Sequence, residues 1–401
     1  MRQANAVASI AKENLLSIFG AFLKLGTTSF GGPIAHLGYL RAEFVERREW
    51  LDDKAYADLV ALCQFLPGPA SSQVGFALGI SRRGLPGGVV AWLGFTLPSA
   101  IIMIAFAYGA QLLPGSVTSG WLHGLKLAAV AIVAQAVWSL GRQLCPDRVR
   151  ASFAIAAAVL VLVLPGALVQ LSAIALGAIL GWRFLARNEI PEIQAAFGGS
   201  RKFSWIAWTM FIALLVLLPV AARTAASYPL SLFDSFYRAG SFVFGGGHVV
   251  LPLLHEEVVP RGWISDNDFL SGYGLAQVVP GPLFTFAAYV GAAANGHPNG
   301  WIGGLIALIA IFLPGFLLVL GALPYWDQWR KRPAIRAAMD GVNAVVVGVL
   351  LAALYDPIFT SSVHASRDLA VALVAFAMLV FWRLSPLWVV IFAATAGFLI
   401  G

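Results

Sequence analysis

Lys24 and Arg238 stand inside apolar segments, each two residues ahead of a glycine, Gly26 and Gly240. A cation at membrane depth is costly and is usually retained for function. Arginine offers an oxyanion a planar fork of donors, and lysine offers a point charge. The competing reading is a carboxylate partner, or a stem that snorkels its charge to the interface. Gln64 and Gln277 each precede a Pro-Gly-Pro; Ser71, Ser72 and Gln73 follow the first of these, and Thr285 takes the place of Ser72 after the second. Hydroxyls and amides there are suited to donating to an anion, and equally to capping a helix. Glu43, Glu257, Glu256, His36, His248 and Asp58 are candidate proton carriers. Histidine titrates near neutrality, and burial can lift a carboxyl into that range. Glu43 and Glu257, however, lie four residues before Arg47 and Arg261, a spacing that favours salt bridges along a helix. Lys126 and Asp340, both beside apolar spans, are expected to pair.

Other chemistry finds no support. No Walker motif, dinucleotide fingerprint, metal-ligand cluster or Ser-His-Asp set is convincing, so a self-contained ATP-driven pump is disfavoured. No catalytic residue, metal or cofactor is expected. Cys63 and Cys145 cannot build a disulfide framework. Cys63 abuts Gln64, but the second copy has Ala276 there, so it reads as an ordinary buried cysteine.

Composition fixes the solvent. The chain has 401 residues, 59% hydrophobic and only 11% charged. A soluble domain carries about 25% charged residues. Apolar runs such as 89–106, 125–140, 206–220, 301–323 and 369–382 approach the roughly 20 residues that a spanning helix needs. The formal net charge of +7 therefore reads as Lys and Arg holding loops in the cytoplasm, not as a nucleic-acid surface. Residues 1–14 lack the apolar core of a cleavable signal.

The elements that must position the polar residues occur twice. Phe30-Gly31-Gly32 matches Phe244-Gly245-Gly246, and Glu43 and Arg47 match Glu257 and Arg261. After a one-residue slip Trp50 matches Trp263, Asp53 matches Asp266, Gln64 matches Gln277, and Pro67-Gly68-Pro69 matches Pro280-Gly281-Pro282. The register continues to Gly87-Gly88 against Gly303-Gly304 and Pro98 against Pro314.

Loop charges give the copies opposite orientations. Arg82 and Arg83 face the uncharged loop 295–299, and Arg142, Arg148 and Arg150 face 356–366, while the uncharged loop 111–120 faces Arg330, Lys331, Arg332 and Arg336. Equivalent loops then lie on opposite sides of the membrane, the plan of an inverted-repeat transporter. The expected fold is an all-α polytopic membrane protein of two inverted-topology repeats. The first covers 1–186, a basic cytoplasmic loop and linking helix cover 187–227, and the second covers 228–401. About nine spans are expected, with a hairpin around Pro165-Gly166.

The duplicated motifs make broken segments. Gly31-Gly32-Pro33 ends a helix over 15–30, and Pro67-Gly68-Pro69 separates half-length pieces over 55–66 and 70–80; in lipid such freed backbone is tolerated only inside protein or beside a wet cavity. Helices restarting after Pro33, Pro69, Gly247 and Pro282 would aim free N–H groups and positive dipole ends at one place. Ordinary kinked packing elements are the alternative. The expected substrate-binding set is Lys24, Gly31, Gly32, Gln64, Gly68, Ser71, Ser72, Arg238, Gly245, Gly246, Gln277, Gly281 and Thr285, with Glu43, His248 and Glu257 for proton coupling.

The pattern Phe30 to Pro33, Arg41 to Trp50 and Pro67 to Pro69, repeated as Phe244 to Gly247, Arg261 to Trp263 and Pro280 to Pro282, resembles the chromate ion transporter family in its long, two-domain form. Gly247 replaces Pro33, so the two copies need not be equivalent. The resemblance implies chromate efflux through the bacterial inner membrane, with sulfate as a related dianion. Alternatives are sulfate or other oxyanion uptake on the same fold, or an anion channel. Chromate or sulfate, protons, the lipid bilayer and a second copy of the chain are the expected partners; nucleic acid is not.

Overall fold

Within lipid only helices and closed barrels satisfy their own backbone groups, and this chain folds as helices. The computed structural model describes residues 13–30, 32–112, 115–164, 166–185, 201–244, 247–329 and 331–400, and no strand occurs among them. Gly31, Gly245 and Gly246 lie outside the described residues.

The first half runs α1 (Leu15–Thr28), α2 (Gly32–Arg41) continuing as a π-turn (Ala42–Arg47), α3 (Asp53–Phe65), α4 (Ala70–Leu112), α5 (Gly115–Leu144), α6 (Arg148–Val163) and α7 (Ala167–Phe184). A linking helix, α8 (Arg201–Ala225), leads to the second half. There the order recurs as α9 (Tyr228–Ser241), α10 (Val250–Val258), α11 (Asp266–Ala276), α12 (Phe286–Ala293), α13 (Gly300–Ala322), a short α14 (Trp326–Trp329), α15 (Pro333–Ala353), α16 (Ser366–Val380) and α17 (Pro386–Ile400). Among the described residues five helices are long and apolar enough to cross a membrane, and four shorter apolar helices accompany them. The linking helix α8 turns Phe203, Trp205, Ile206, Ile212 and Val216 outward, as a helix surrounded by lipid can.

Local sequence explains the breaks. Helices α1 and α9 have 14 residues each, about 21 Å at 1.5 Å per residue. They therefore stop inside a hydrocarbon layer of about 30 Å. The helix after each charged turn begins on a matched cap: the Asp52 carboxylate accepts the N–H of Ala55 at 2.7 Å, and the Ser265 hydroxyl accepts that of Asp268 at 3.1 Å. Helix α4 begins after Pro69 but leaves helical geometry at Arg83 and Gly84, whose φ is +61°, so its first part is a short piece as the sequence implied. The second copy differs. After Pro282 the chain makes a 3-10 turn (Leu283–Thr285) and only eight residues of α12. The expected restart at Gly247 is likewise a 3-10 turn, Gly247–Val249.

The glycines two residues after Lys24 and Arg238 have a packing role. A Cβ on Gly26 would lie 2.7 Å from the Gly94 carbonyl of α4, and one on Gly240 would run into the Ile311 carbonyl of α13. Each short first helix thus rides directly on the long helix of its own half. The final hairpins cross over instead. Helices α6 and α7 pack on α15 of the second half, while α16 and α17 pack on α5 of the first. Gly341 meets the Gly177 carbonyl of α7, and Gly124 meets the Ala393 carbonyl of α17.

Candidate functional site

The two Pro-Gly-Pro turns and the two Phe-Gly-Gly segments meet across the halves. The N–H of Gly68 donates to the Val243 carbonyl at 2.7 Å, and the N–H of Gly281 donates to the Ser29 carbonyl at 3.0 Å. Ser29 and Val243 are equivalent residues, each just before Phe-Gly-Gly. Both central glycines hold positive φ, +123° and +108°, a region that glycine enters without a Cβ clash. Their surroundings match as well. A Cβ on Gly68 would lie 3.2 Å from Cα of Gly315, and one on Gly281 would lie 2.7 Å from Oγ of Ser99. Gly315 and Ser99 each follow the proline inside the long helix of the opposite half.

Around this crossing several donors have nothing to bind. The side-chain Oγ of Ser29 and of Ser72 and Oγ1 of Thr96 are buried without a hydrogen-bond partner among the described residues, while the Gln277 amide reaches the Tyr273 hydroxyl. A buried polar group left so costs roughly 1–3 kcal/mol, so three of them at one crossing mark it as a candidate binding place. Gln73, fully buried, donates from Nε2 to the carbonyls of Pro67 at 2.9 Å and Gly315 at 3.1 Å. It fastens the first Pro-Gly-Pro to α13. His36 sits on the same Ser29 carbonyl at 3.2 Å, and His248 bonds the Tyr273 hydroxyl at 2.8 Å.

The paired cations sit on carboxylates. Lys24 Nζ is 3.8 Å from Glu43, and its side chain is 59% exposed. Glu43 also binds Arg47, and it accepts from Arg48 at 2.7 Å. Burial pushes the Glu43 carboxyl up, but hydrogen bonds from Arg47 and Arg48 more than reverse this and hold it below the usual carboxylate range. In the second half Arg238 forks onto Glu257 at 2.8 and 3.0 Å and reaches Asp234 at 3.0 Å. Arg261 closes the group onto Glu257 at 2.9 Å. The same three positions therefore build the same cluster twice: cation, carboxylate and the arginine four residues on.

Each long chain segment carrying these features falls within one family. The chromate transporter pattern matches residues 16–182 and 230–398. The chain belongs to the chromate transporter family. Among its relatives, a chromate transport protein of Pseudomonas aeruginosa is 32% identical over 394 residues, covering 96% of this chain and 92% of the relative. A chromate transport protein of Cupriavidus metallidurans is 28% identical over 404 residues, 98% of this chain and 95% of the relative. An uncharacterized transporter of Bacillus subtilis is 38% identical over 122 residues, 30% of this chain and 66% of its own length. No solved structure matches the chain. Chromate transporters are membrane transport proteins rather than enzymes, and this member is multi-pass.

Within this chromate transporter the expected site residues separate. Gly68, Gly281, Ser71, Ser72 and Gln277 come to the crossing. Gln64 is exposed. The Thr285 hydroxyl is committed to the Pro282 carbonyl at 2.8 Å, so it closes its own turn. Lys126 and Asp340 do not pair: Lys126 binds Asn267 at 2.9 Å, and Asp340 binds Arg150 at 2.8 Å. Spacing along the chain could not foresee this, because Lys126 finds its partner on α11 and Asp340 finds its own on α6 of the crossed hairpin. Ser29, Thr96 and Ser99 went unnoticed. Their signal was positional, since Ser29 abuts Phe-Gly-Gly and Thr96 and Ser99 flank the intrahelical Pro98.

Proposed function

We propose that the chain exports chromate from the cytoplasm across the bacterial inner membrane by alternating access, and thereby confers chromate resistance. The observation that carries this reading is the crossing of the duplicated turns with its three unpartnered donors, Ser29, Ser72 and Thr96. A tetrahedral dianion presents acceptors in every direction, and such donors suit it. The N–H groups at the start of α4 add a positive dipole end, with Ser71 and Ser72 in its first turn. Lys24 and Arg238 give the approaches their charge. The Lys24 ammonium, exposed and 3.8 Å from Glu43, is free to swing to an anion.

The reciprocal bonding of the halves supports a two-fold relation between them, and the alternating loop charges favour an axis in the membrane plane. With repeats in 1–186 and 228–401 and a connector in 187–227, the two would rock about the crossing and open it to each side in turn. Export of a dianion across an inside-negative potential of 100 mV is favoured by about 4.6 kcal/mol, at about 2.3 per charge. Voltage alone therefore supports accumulation outside by about a thousandfold, and proton exchange would add to it. Of Glu43, His248 and Glu257, the set expected from sequence for proton coupling, Glu43 and Glu257 each neutralise basic groups, and His248 stands beside Tyr273.

Everted vesicles test the proposal. Saturable chromate accumulation supports it, and its absence overturns it. Unsaturable conduction would mean a channel. Sulfate or other oxyanion uptake is distinguished in chromate-challenged cells, where an importer sensitises and an exporter protects.

A further inference from the structure

A cavity of about 60 Å³ lies away from the crossing, between α6 and α7 of the first half and α10 and the end of α15 of the second. That is room for a few water molecules or a proton-bearing group. Its polar lining is Gln170, His255, Glu256 and Asp356. Gln170 is 3% exposed and its Oε1 has no partner among the described residues; His255 is 8% exposed and its Nδ1 has none either. The other ring nitrogen of His255 lies 2.6 Å from the Asp266 carboxylate. The cavity thus gathers an unpartnered amide oxygen, an unpartnered ring nitrogen and two carboxyl groups, Glu256 and Asp356.

We propose that this cavity is a proton-loading site, with the proton carried on Glu256 and shared toward Asp356 and His255. Asp356 is exposed and stands at the mouth, held by the Thr360 hydroxyl at 3.2 Å; Glu256 is further in. Burial raises the Glu256 carboxyl, and the charges of Asp356 and Glu257 add to this against His255. Helices α6 and α7 contribute only Leu162, Val161 and Gln170 to the lining, none of them titratable. The site is one-sided. The first half has Arg41 and Ala42 where the second has His255 and Glu256. The adjoining loop 356–366 lacks Lys and Arg, which assigns the mouth to the outer face. Glu257, the next residue, holds Arg238 and Arg261, so a charge change at Glu256 acts on the cluster flanking the anion path. The role in exchange rests on the export reading; the proton site itself does not.

Infrared difference titration of the purified full-length protein tests the site directly. We expect a protonated-carboxyl band that titrates above the ordinary carboxylate range, lost in Glu256→Gln, moved to lower pH in Asp356→Asn and unmoved in Asp340→Asn. A wild type without such a band, or a band that survives Glu256→Gln, overturns the proposal. In vesicles carrying a pH dye, chromate-dependent proton flux should be lost in Glu256→Gln while chromate counterflow persists. Unchanged proton flux in that variant, or a sodium-dependent flux in place of protons, overturns the coupling. A wild type that moves no chromate overturns the export reading instead, and the infrared titration still decides the site.

Discussion

The backbone N–H of Gly68 donates to the carbonyl of Val243 at 2.7 Å, so a turn of one repeat is held by the other. Its counterpart, Gly281 on Ser29, makes the same bond at 3.0 Å in the opposite sense. Two copies joined this way cannot shift independently, and any motion that opens the crossing must break or slide both bonds together.

Substituting either glycine should separate the two bonds. An alanine at φ near +110° costs about 1–2 kcal/mol in backbone alone. In Gly281→Ala the new methyl would also meet Oγ of Ser99 at 2.7 Å. We expect expression with a lowered melting temperature and loss of chromate efflux. Because the Ser99 hydroxyl is the nearest obstacle, Ser99→Gly should restore part of the efflux lost in Gly281→Ala. Efflux and detergent thermal stability of the single and double variants check this, and no rescue would locate the damage in the backbone alone.

Lys24 and Arg238 should divide function from stability. Lys24 is exposed and loosely paired, so Lys24→Ala should cost at most about 1 kcal/mol of stability yet reduce chromate transport severalfold. Arg238 holds the buried carboxylates of Asp234 and Glu257. Arg238→Ala leaves Asp234 without its bonded cation and should cost about 3–5 kcal/mol. Arg238→Ala combined with Asp234→Asn should recover stability without recovering transport. Melting curves read beside transport rates decide between this division and a purely structural role for both.

Acid should loosen the first cluster. The Glu43 carboxyl is held below its usual range by Arg47 and Arg48. A group whose folded value is depressed stabilises the protein above its unfolded value, about 4.3 for glutamate, and loses that contribution as pH falls through the folded one. Thermal stability should therefore decline below about pH 4.3, and Glu43→Gln should flatten part of that decline. A decline of the same slope in the variant would assign it to other carboxylates.

Much of this was legible because duplication repeats a physical requirement. The matched Gly/Pro breaks located Gly68 and Gly281, and the i,i+4 spacing located the Glu43–Arg47 and Glu257–Arg261 pairs. The all-helical, membrane-spanning plan followed from composition. Sequence offered Lys24 and Arg238 either an anion or a carboxylate partner; it could not name Glu43 and Glu257 as that partner, because those contacts close only when α1 and α9 fold back against the charged turns. Thr285 looked like Ser72 by register, but the second copy enters its helix through a 3-10 turn, which brings its hydroxyl onto Pro282. Ser29 and Thr96 carried no signal beyond their places beside Phe-Gly-Gly and Pro98, and only the crossing of the halves gathers them.

The crossed hairpins make the last prediction. Helix α15 meets α7 at Gly341 and α6 at Gly348, where a Cβ would strike the carbonyls of Gly177 and Ala154. These two glycines lie seven residues apart, two helical turns, so they share one face. The opposing carbonyls are backbone and cannot move aside as a side chain could. Gly341→Val should therefore part the first half's hairpin from α15 and cost more than about 4 kcal/mol, the range of severe overpacking. Gly141, also on a hairpin-bearing helix, has only a Val347 methyl at 3.9 Å near its would-be Cβ, so Gly141→Ala should be neutral. Limited proteolysis of the link between α7 and α8 in the two variants reads the difference. Equal resistance would mean that the crossed hairpins do not depend on this close approach.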